Sequence, residues 1–147
     1  MIDMHCHLIY EVDDGSKSLE QTIRMAKKAY SLGYEGICAT PHFISNSHET
    51  DVSELCEKLT IINDILKKDG INMIIYPGNE VYFSMDIVEN IKSKKICTLN
   101  SSKYFLMEFP MTGLVLNMEQ IIFMARQEGY IPIIAHPERY EFVTKDI

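Results

Sequence analysis

The chain has 147 residues and a formal net charge of −7; 46% of it is hydrophobic, 24% charged and 10% aromatic. One domain is expected at this length, with enough buried surface for a true core. The composition excludes a disordered, collagenous or low-complexity chain, and the negative charge excludes non-specific nucleic-acid binding or adhesion to an anionic membrane as a main role.

Residues 2–7 alternate, with Asp3, His5 and His7 opposite Ile2, Met4 and Cys6, which predicts a strand. Ser18 followed by Gln21 predicts a boxed helix start, with an apolar stripe at Ile23, Ala26, Ala29 and Tyr30 and a stop at Gly33. Residues 36–40 predict a second strand and residues 41–50 a loop. Asp51 and Glu54 then open a helix striped by Leu55, Leu59, Ile62 and Leu66 and stopped at Gly70. A third strand is predicted over 73–76, ended by Pro77-Gly78, with a shorter helix after Ser84 and a solvated helix end at Lys92-Ser93-Lys94-Lys95. The fourth strand covers 104–109, a helix covers about 118–128, and the fifth strand covers 131–135 before Pro137. This alternation predicts an α/β fold of βα units around a parallel sheet.

The cysteines Cys6, Cys38, Cys56 and Cys97 form no C-x-x-C pair, so a zinc knuckle or thioredoxin-like motif has no support. Three of them fall in apolar patterns, where a free Cys acts as a small hydrophobe. A reducing, cytoplasmic compartment is the expectation. Met1-Ile2-Asp3 shows no basic stretch of an export signal, and the longest apolar runs fall far short of the roughly 20 residues of a membrane span, so no membrane insertion is expected.

Every predicted strand delivers a His or a Glu at its C-terminal end: His5 and His7, then His42, Glu80, Glu108 and His136. In (β/α) barrels that end carries the active site. Strand period puts His5 and His7 on one face, where both can reach one ion. Imidazoles and carboxylates together suit Mn, Fe, Zn or Co, and the lack of a Cys cluster argues against a closed structural zinc site. A bridging Glu can hold paired ions about 3.5–4 Å apart, which clamp a phosphate and activate water near neutral pH. Such ions would also reverse the local field of an acidic protein. Glu108 stands among Phe105, Leu106, Met107 and Phe109, where an unpaired carboxylate would be costly to bury. His48, among Asn46, Ser47 and Glu49, reads as solvated, and Asp13 as a shaper of the turn at Gly15.

These residues carry a resemblance. Met1-Ile2-Asp3-Met4-His5-Cys6-His7, Asp13-Asp14-Gly15, Ala39-Thr40-Pro41-His42, Gly78-Asn79-Glu80, Phe105-Leu106-Met107-Glu108-Phe109 and Ile134-Ala135-His136-Pro137-Glu138-Arg139-Tyr140 resemble the polymerase-and-histidinol-phosphatase (PHP) superfamily. The similarity is to its bacterial branch of manganese-dependent protein-tyrosine phosphatases from capsule and exopolysaccharide loci. The resemblance implies a distorted, TIM-like (β/α)7 barrel and a centre of two to three divalent ions, manganese first, with Fe, Zn or Co as alternatives. It implies that His5, His7 and Glu80 hold one ion, that Glu80 as bridge, Glu108 and His136 hold a second, and that His42 holds a third with one of two adjacent aspartates, Asp14 ahead of Asp13. It also implies that Arg139 grips phosphate, for which a guanidinium fork is suited; a surface ion pair with Glu138 or Glu141 is the plainer role for that arginine.

The family closes its site with an Asp-x-His further along a longer chain, and nothing after His136 supplies it. The expectation is therefore a single PHP domain over 1–147 with about five βα units, a truncated barrel that leaves room for self-association. The implied activity is phosphotyrosine-protein phosphatase, with activated water attacking phosphorus. The implied partner is a phosphotyrosine-bearing protein, a tyrosine kinase of polysaccharide synthesis, and no nucleic acid. Alternatives are another PHP phosphoesterase acting on a small ester such as histidinol phosphate, or a binding or regulatory remnant. A cysteine-dependent phosphatase is excluded, because Ser18, Gln120 and Ile133 stand where a Cys six positions before Arg24, Arg126 and Arg139 would be needed.

Overall fold

Strands and helices alternate along the computed structural model, which describes residues 1–144. The order is β1 (Ile2–Cys6), α1 (Leu19–Ser31), β2 (Gly36–Ala39), β3 (His42–Phe43), α2 (Val52–Lys68), β4 (Ile74–Pro77), β5 (Glu80–Tyr82), α3 (Ile87–Lys92), β6 (Tyr104–Glu108), α4 (Met118–Gln127), β7 (Ile131–Ile134) and α5 (Glu141–Thr144). Single 3₁₀ turns lie at Leu99–Ser101 and Pro137–Arg139. Local chemistry accounts for the helix starts. The Ser18 side chain accepts the Gln21 N–H, and Asp51 accepts the N–H groups of Ser53 and Glu54. The Gln21 side chain reaches the Lys17 N–H at 3.0 Å, one residue short of a reciprocal box.

All strand pairs are parallel, in two sheets ordered β1-β2-β4 and β3-β5-β6-β7. The five predicted strands have become seven. Two of the predicted strand paths break and resume in the second sheet, β2 into β3 across Thr40-Pro41 and β4 into β5 across Gly78-Asn79. Pro41 has no N–H to continue a ladder. Its carbonyl instead accepts the Glu80 N–H at 3.0 Å and the Asn79 Nδ2 at 3.2 Å, while Asn79 Oδ1 accepts the Cys97 N–H at 2.8 Å. Gly78 allows this approach: a Cβ there would stand 2.9 Å from the Leu99 side chain and 3.2 Å from the Thr40 methyl. Residues 41–50, expected to be all loop, therefore open with β3.

The strand period sorts the core. Ile37, Phe105 and Met107 face the helices, whereas Cys38 and Leu106 join Leu99 and Ala135 in a cluster between the two sheets. Leu55, Leu59, Ile62 and Leu66 of α2 are buried as the stripe predicts. The outer edge of β4 is closed by Asn63 of α2, which donates to the Ile75 carbonyl at 2.9 Å and accepts its N–H at 2.8 Å. All four cysteines are free, with Cys56 exposed. Among the described residues no helix is long and apolar enough to cross a membrane.

Candidate metal centre

The strand breaks bring the polar residues together. His42 and Glu80 are the first residues of β3 and β5 and pair with each other in register, so they stand at the break rather than beyond a strand end. His5 and His7 come from the end of β1, Glu108 closes β6, and His136 follows β7. All six line one cavity of about 640 Å³, together with Asp14, Arg139, Cys6 and Met111. The residues expected at the site are thus brought together; His48 lies outside its walls and is half-buried rather than solvated.

Glu80 is the hub, 1% exposed. Its Oε2 lies 3.0 Å from His5 Nε2, 3.0 Å from His7 Nε2 and 3.3 Å from His42 Nδ1, and its Oε1 lies 2.8 Å from His136 Nε2. Glu108 stands 3.6 Å from both His42 Nδ1 and His136 Nε2. The Nε2 atoms of His5 and His7 face each other at 3.3 Å. His42 Nδ1 is buried without a hydrogen-bond partner. Ligand atoms of His5, His7 and Glu80, of His42, Glu80 and Glu108, and of His7, Asp13, Asp14 and His42 each lie within 4.8 Å of one another. Such crowding of nitrogen and oxygen donors suits a cation among them.

The two adjacent aspartates have different surroundings. Asp13, 2% exposed, sits 2.6 Å from His7 Nδ1 and accepts the N–H groups of His42 at 3.0 Å and Gly15 at 2.9 Å. Asp14 is 79% exposed, with one oxygen 3.6 Å from His7 Nδ1 and 3.7 Å from His42 Nε2. Gly15 makes the turn possible, because a Cβ there would fall 2.2 Å from the His7 carbonyl oxygen and 2.5 Å from its Cβ. Asp13 does shape the turn at Gly15, but it also anchors two histidines. That second role has a sequence signal, an acid within a few residues of a histidine pair, which fixes no partner by itself.

Charge follows from this geometry. Burial opposes ionisation of both His7 and Asp13, yet the hydrogen bond between them prevails, joined by Glu80 acting on His7 and by the Gly15 and His42 N–H groups on Asp13, raising His7 to about 10 and lowering Asp13 to about 2. Burial likewise works against the Glu80 carboxylate, but the surrounding imidazoles hold it well below the usual range. Glu108 is pushed up, by burial first and by the neighbouring Glu80 charge second. The Cys6 thiol is raised to about 11, chiefly by burial.

The family model described as capsular polysaccharide synthesis, CpsB/CapC, matches residues 1–147. The chain belongs to the CpsB/CapC family. It is 37% identical over 149 residues to CapC of Staphylococcus aureus, covering 100% of this chain and 58% of that protein. It is 34% identical over 139 residues to the tyrosine-protein phosphatase YwqE of Bacillus subtilis, covering 95% of this chain and 55% of the relative. To the tyrosine-protein phosphatase CpsB of Streptococcus pneumoniae it is 33% identical over 141 residues, covering 96% of this chain and 58% of the relative. The chain therefore spans 55–58% of the length of these curated relatives. A solved structure from work on YwqE of Bacillus subtilis and CpsB of Streptococcus pneumoniae, described as unique metal-dependent tyrosine phosphatases, superposes with a TM-score of 0.93 at 32% identity, covering 99% of this chain and 59% of that one. That match fixes the fold as α/β with parallel sheets.

Proposed function

We propose that this chain carries the metal centre of a phosphotyrosine-protein phosphatase. The observation that supports it most is the surrounding of one buried carboxylate, Glu80, by four imidazoles within 3.3 Å. Three of these rings crowd onto Oε2 alone, whose two lone pairs cannot accept three well-directed hydrogen bonds, and the unpartnered His42 Nδ1 leaves a nitrogen lone pair available to a cation. The residues therefore fit divalent cations, manganese first. His5, His7 and Glu80 would hold one ion; Glu80, Glu108 and His136 a second; His42 and the exposed Asp14 a third. Asp13, turned inward, orients His7 by fixing which ring nitrogen carries the proton.

Bound ions supply Lewis acidity, lowering the pKa of water towards neutrality and offsetting the charge of a phosphate. The chain's own groups do the rest. Arg139, on the cavity wall, offers a planar fork for two phosphate oxygens. Cys6 also lines the cavity, but a thiol raised to about 11 is protonated at neutral pH and is a poor nucleophile. The nucleophile proposed is therefore activated water, not sulfur.

The fold reading that goes with this function is a single PHP domain over 1–147, contributing five βα units of a distorted (β/α)7 barrel. Relatives that are tyrosine-protein phosphatases support a phosphotyrosine-bearing protein as substrate; the partner proposed is a tyrosine kinase of polysaccharide synthesis, in keeping with the family's place in capsule synthesis. Hydrolysis of a phosphotyrosyl peptide and of histidinol phosphate, each with and without chelator, tests this. The peptide is expected to react faster, with activity lost to EDTA and restored by Mn²⁺. Equal rates, or rates that ignore the chelator, would overturn it.

A further inference from the structure

We propose that Tyr140 is the positioning residue for the Glu108 and His136 half of the centre, an inference that rests on the metal reading above. The ladder between β6 and β7 ends just short of both ligands. Its last pair is Met107 with Ile134, followed by the Ala135 N–H on the Met107 carbonyl at 2.9 Å. Glu108 is held on its other side by β5, through its pairing with Tyr82 and the Phe83 N–H on its carbonyl at 2.8 Å, so what the ladders leave open is a tie from this strand end to His136.

Tyr140 supplies it. The side chain is fully buried, and its Oη accepts the Phe109 N–H at 3.1 Å, immediately after Glu108. Its ring lies 5.6 Å from the His136 ring, meets Phe109 edge-on at 5.7 Å, and stacks on Phe142 at 5.3 Å with the planes 4° apart. One side chain thus touches the strand end that bears Glu108 and the imidazole of His136. His136 also needs holding. Its φ of 29° and ψ of 58° put a non-glycine residue in the left-handed region, which persists only where surrounding packing enforces it. The 3₁₀ turn from His136 to Tyr140 closes through the Arg139 N–H on the His136 carbonyl at 3.0 Å and the Tyr140 N–H on the Pro137 carbonyl at 3.3 Å. Burying Tyr140 therefore also fixes the turn that carries Arg139.

Metal titration of the full chain tests the assignment, using Mn²⁺ with calorimetry and a competing chelator beside a thermal melt of the metal-free protein. Tyr140→Phe keeps the ring and removes the acceptor of the Phe109 N–H; Tyr140→Leu removes both contacts. Tyr140→Phe is expected to weaken one class of ion by about tenfold and leave the others unchanged, within the range known for groups that orient metal ligands. Tyr140→Leu is expected to weaken that class further. In a Glu108→Gln background the Tyr140→Phe change should cost no additional affinity. A purely structural Tyr140 would lower the melting temperature and leave every ion's affinity intact, and that result overturns the proposal even if Tyr140→Leu does not fold. A parent chain that takes up no Mn²⁺ at all overturns the metal reading and the proposal with it.

Discussion

Gly15→Ala probes the site through a single methyl group. The added Cβ would lie 2.2 Å from the His7 carbonyl oxygen and 2.5 Å from the His7 Cβ, backbone and near-backbone atoms that cannot swing away as the far end of a side chain could. Ordinary contact requires the turn to retreat by about 1 Å, a small-to-large strain worth about 1–3 kcal/mol. The same retreat would open the 2.6 Å bond between Asp13 and His7 beyond hydrogen-bonding range. Losing a charge-assisted bond adds about 1.5–3 kcal/mol. The sum is roughly 2.5–6 kcal/mol, which for a chain of this size lowers the melting temperature by roughly 5–24 °C. Because the turn carries Asp13 and Asp14, Mn²⁺ affinity should fall by about 10–100-fold. Gly33→Ala is the control. Gly33 has a φ of +91° with nothing within 4 Å of the added methyl, so its substitution should cost only about 1–2 kcal/mol of backbone strain and leave metal binding untouched. Differential scanning fluorimetry and metal titration of both variants read the difference. A Gly15→Ala protein that melts with the parent and binds Mn²⁺ equally would refute the packing argument.

Three further outcomes are expected. Asp13→Asn should lower metal-free stability by about 1.5–3 kcal/mol in urea melts, whereas Asp14→Asn, at an exposed position, should leave it within about 0.5 kcal/mol and abolish uptake of one ion. With metal removed, the His7–Asp13 pair should stabilise the fold most between about pH 4 and 6.5. Asp13, lowered to about 2, loses its contribution as pH falls below its ordinary range, and His7, raised to about 10, loses its contribution as pH rises from 6.5 towards 10. Urea melts of the chelated protein across that range check it, and a maximum near pH 9 would contradict the pairing. Iodoacetamide at pH 7.5 should label the exposed Cys56 quickly and spare Cys6 and Cys97, whose thiols burial raises to about 11; mass spectrometry of the digested protein gives the order.

Much of this site is legible in the residues because local rules suffice for it. Ser18 and Asp51 announce their helices through side chains that reach their own first turns, and the leucine stripe of α2 needs only the helical period. The candidate site residues stand out because a His or Glu recurs where each predicted strand ends. What stays hidden depends on contacts between distant segments. β3 has two residues and β5 has three, too short to carry any period, so the breaks at Pro41 and Gly78 read as loops. The clamp by Asn79 becomes visible only when Pro41 and Cys97 lie beside it. Asp13 and Asp14 are equivalent in composition; the close approach of Gly15 to His7 is what turns one inward and leaves the other exposed. Tyr140 is an aromatic near the end of a motif, and its link to Phe109 exists only after β6 and β7 pair.

The central claim is that Glu80 bridges bound ions. Crystals of the full chain soaked in Mn²⁺, with diffraction recorded for the anomalous signal of manganese, test it most directly. Three peaks are predicted: two beside Glu80, one shared with His5 and His7 and the other with Glu108 and His136, and a third beside His42 and Asp14. A cavity without an anomalous peak on Glu80, in a chain whose phosphotyrosine hydrolysis survives chelation, would contradict the account.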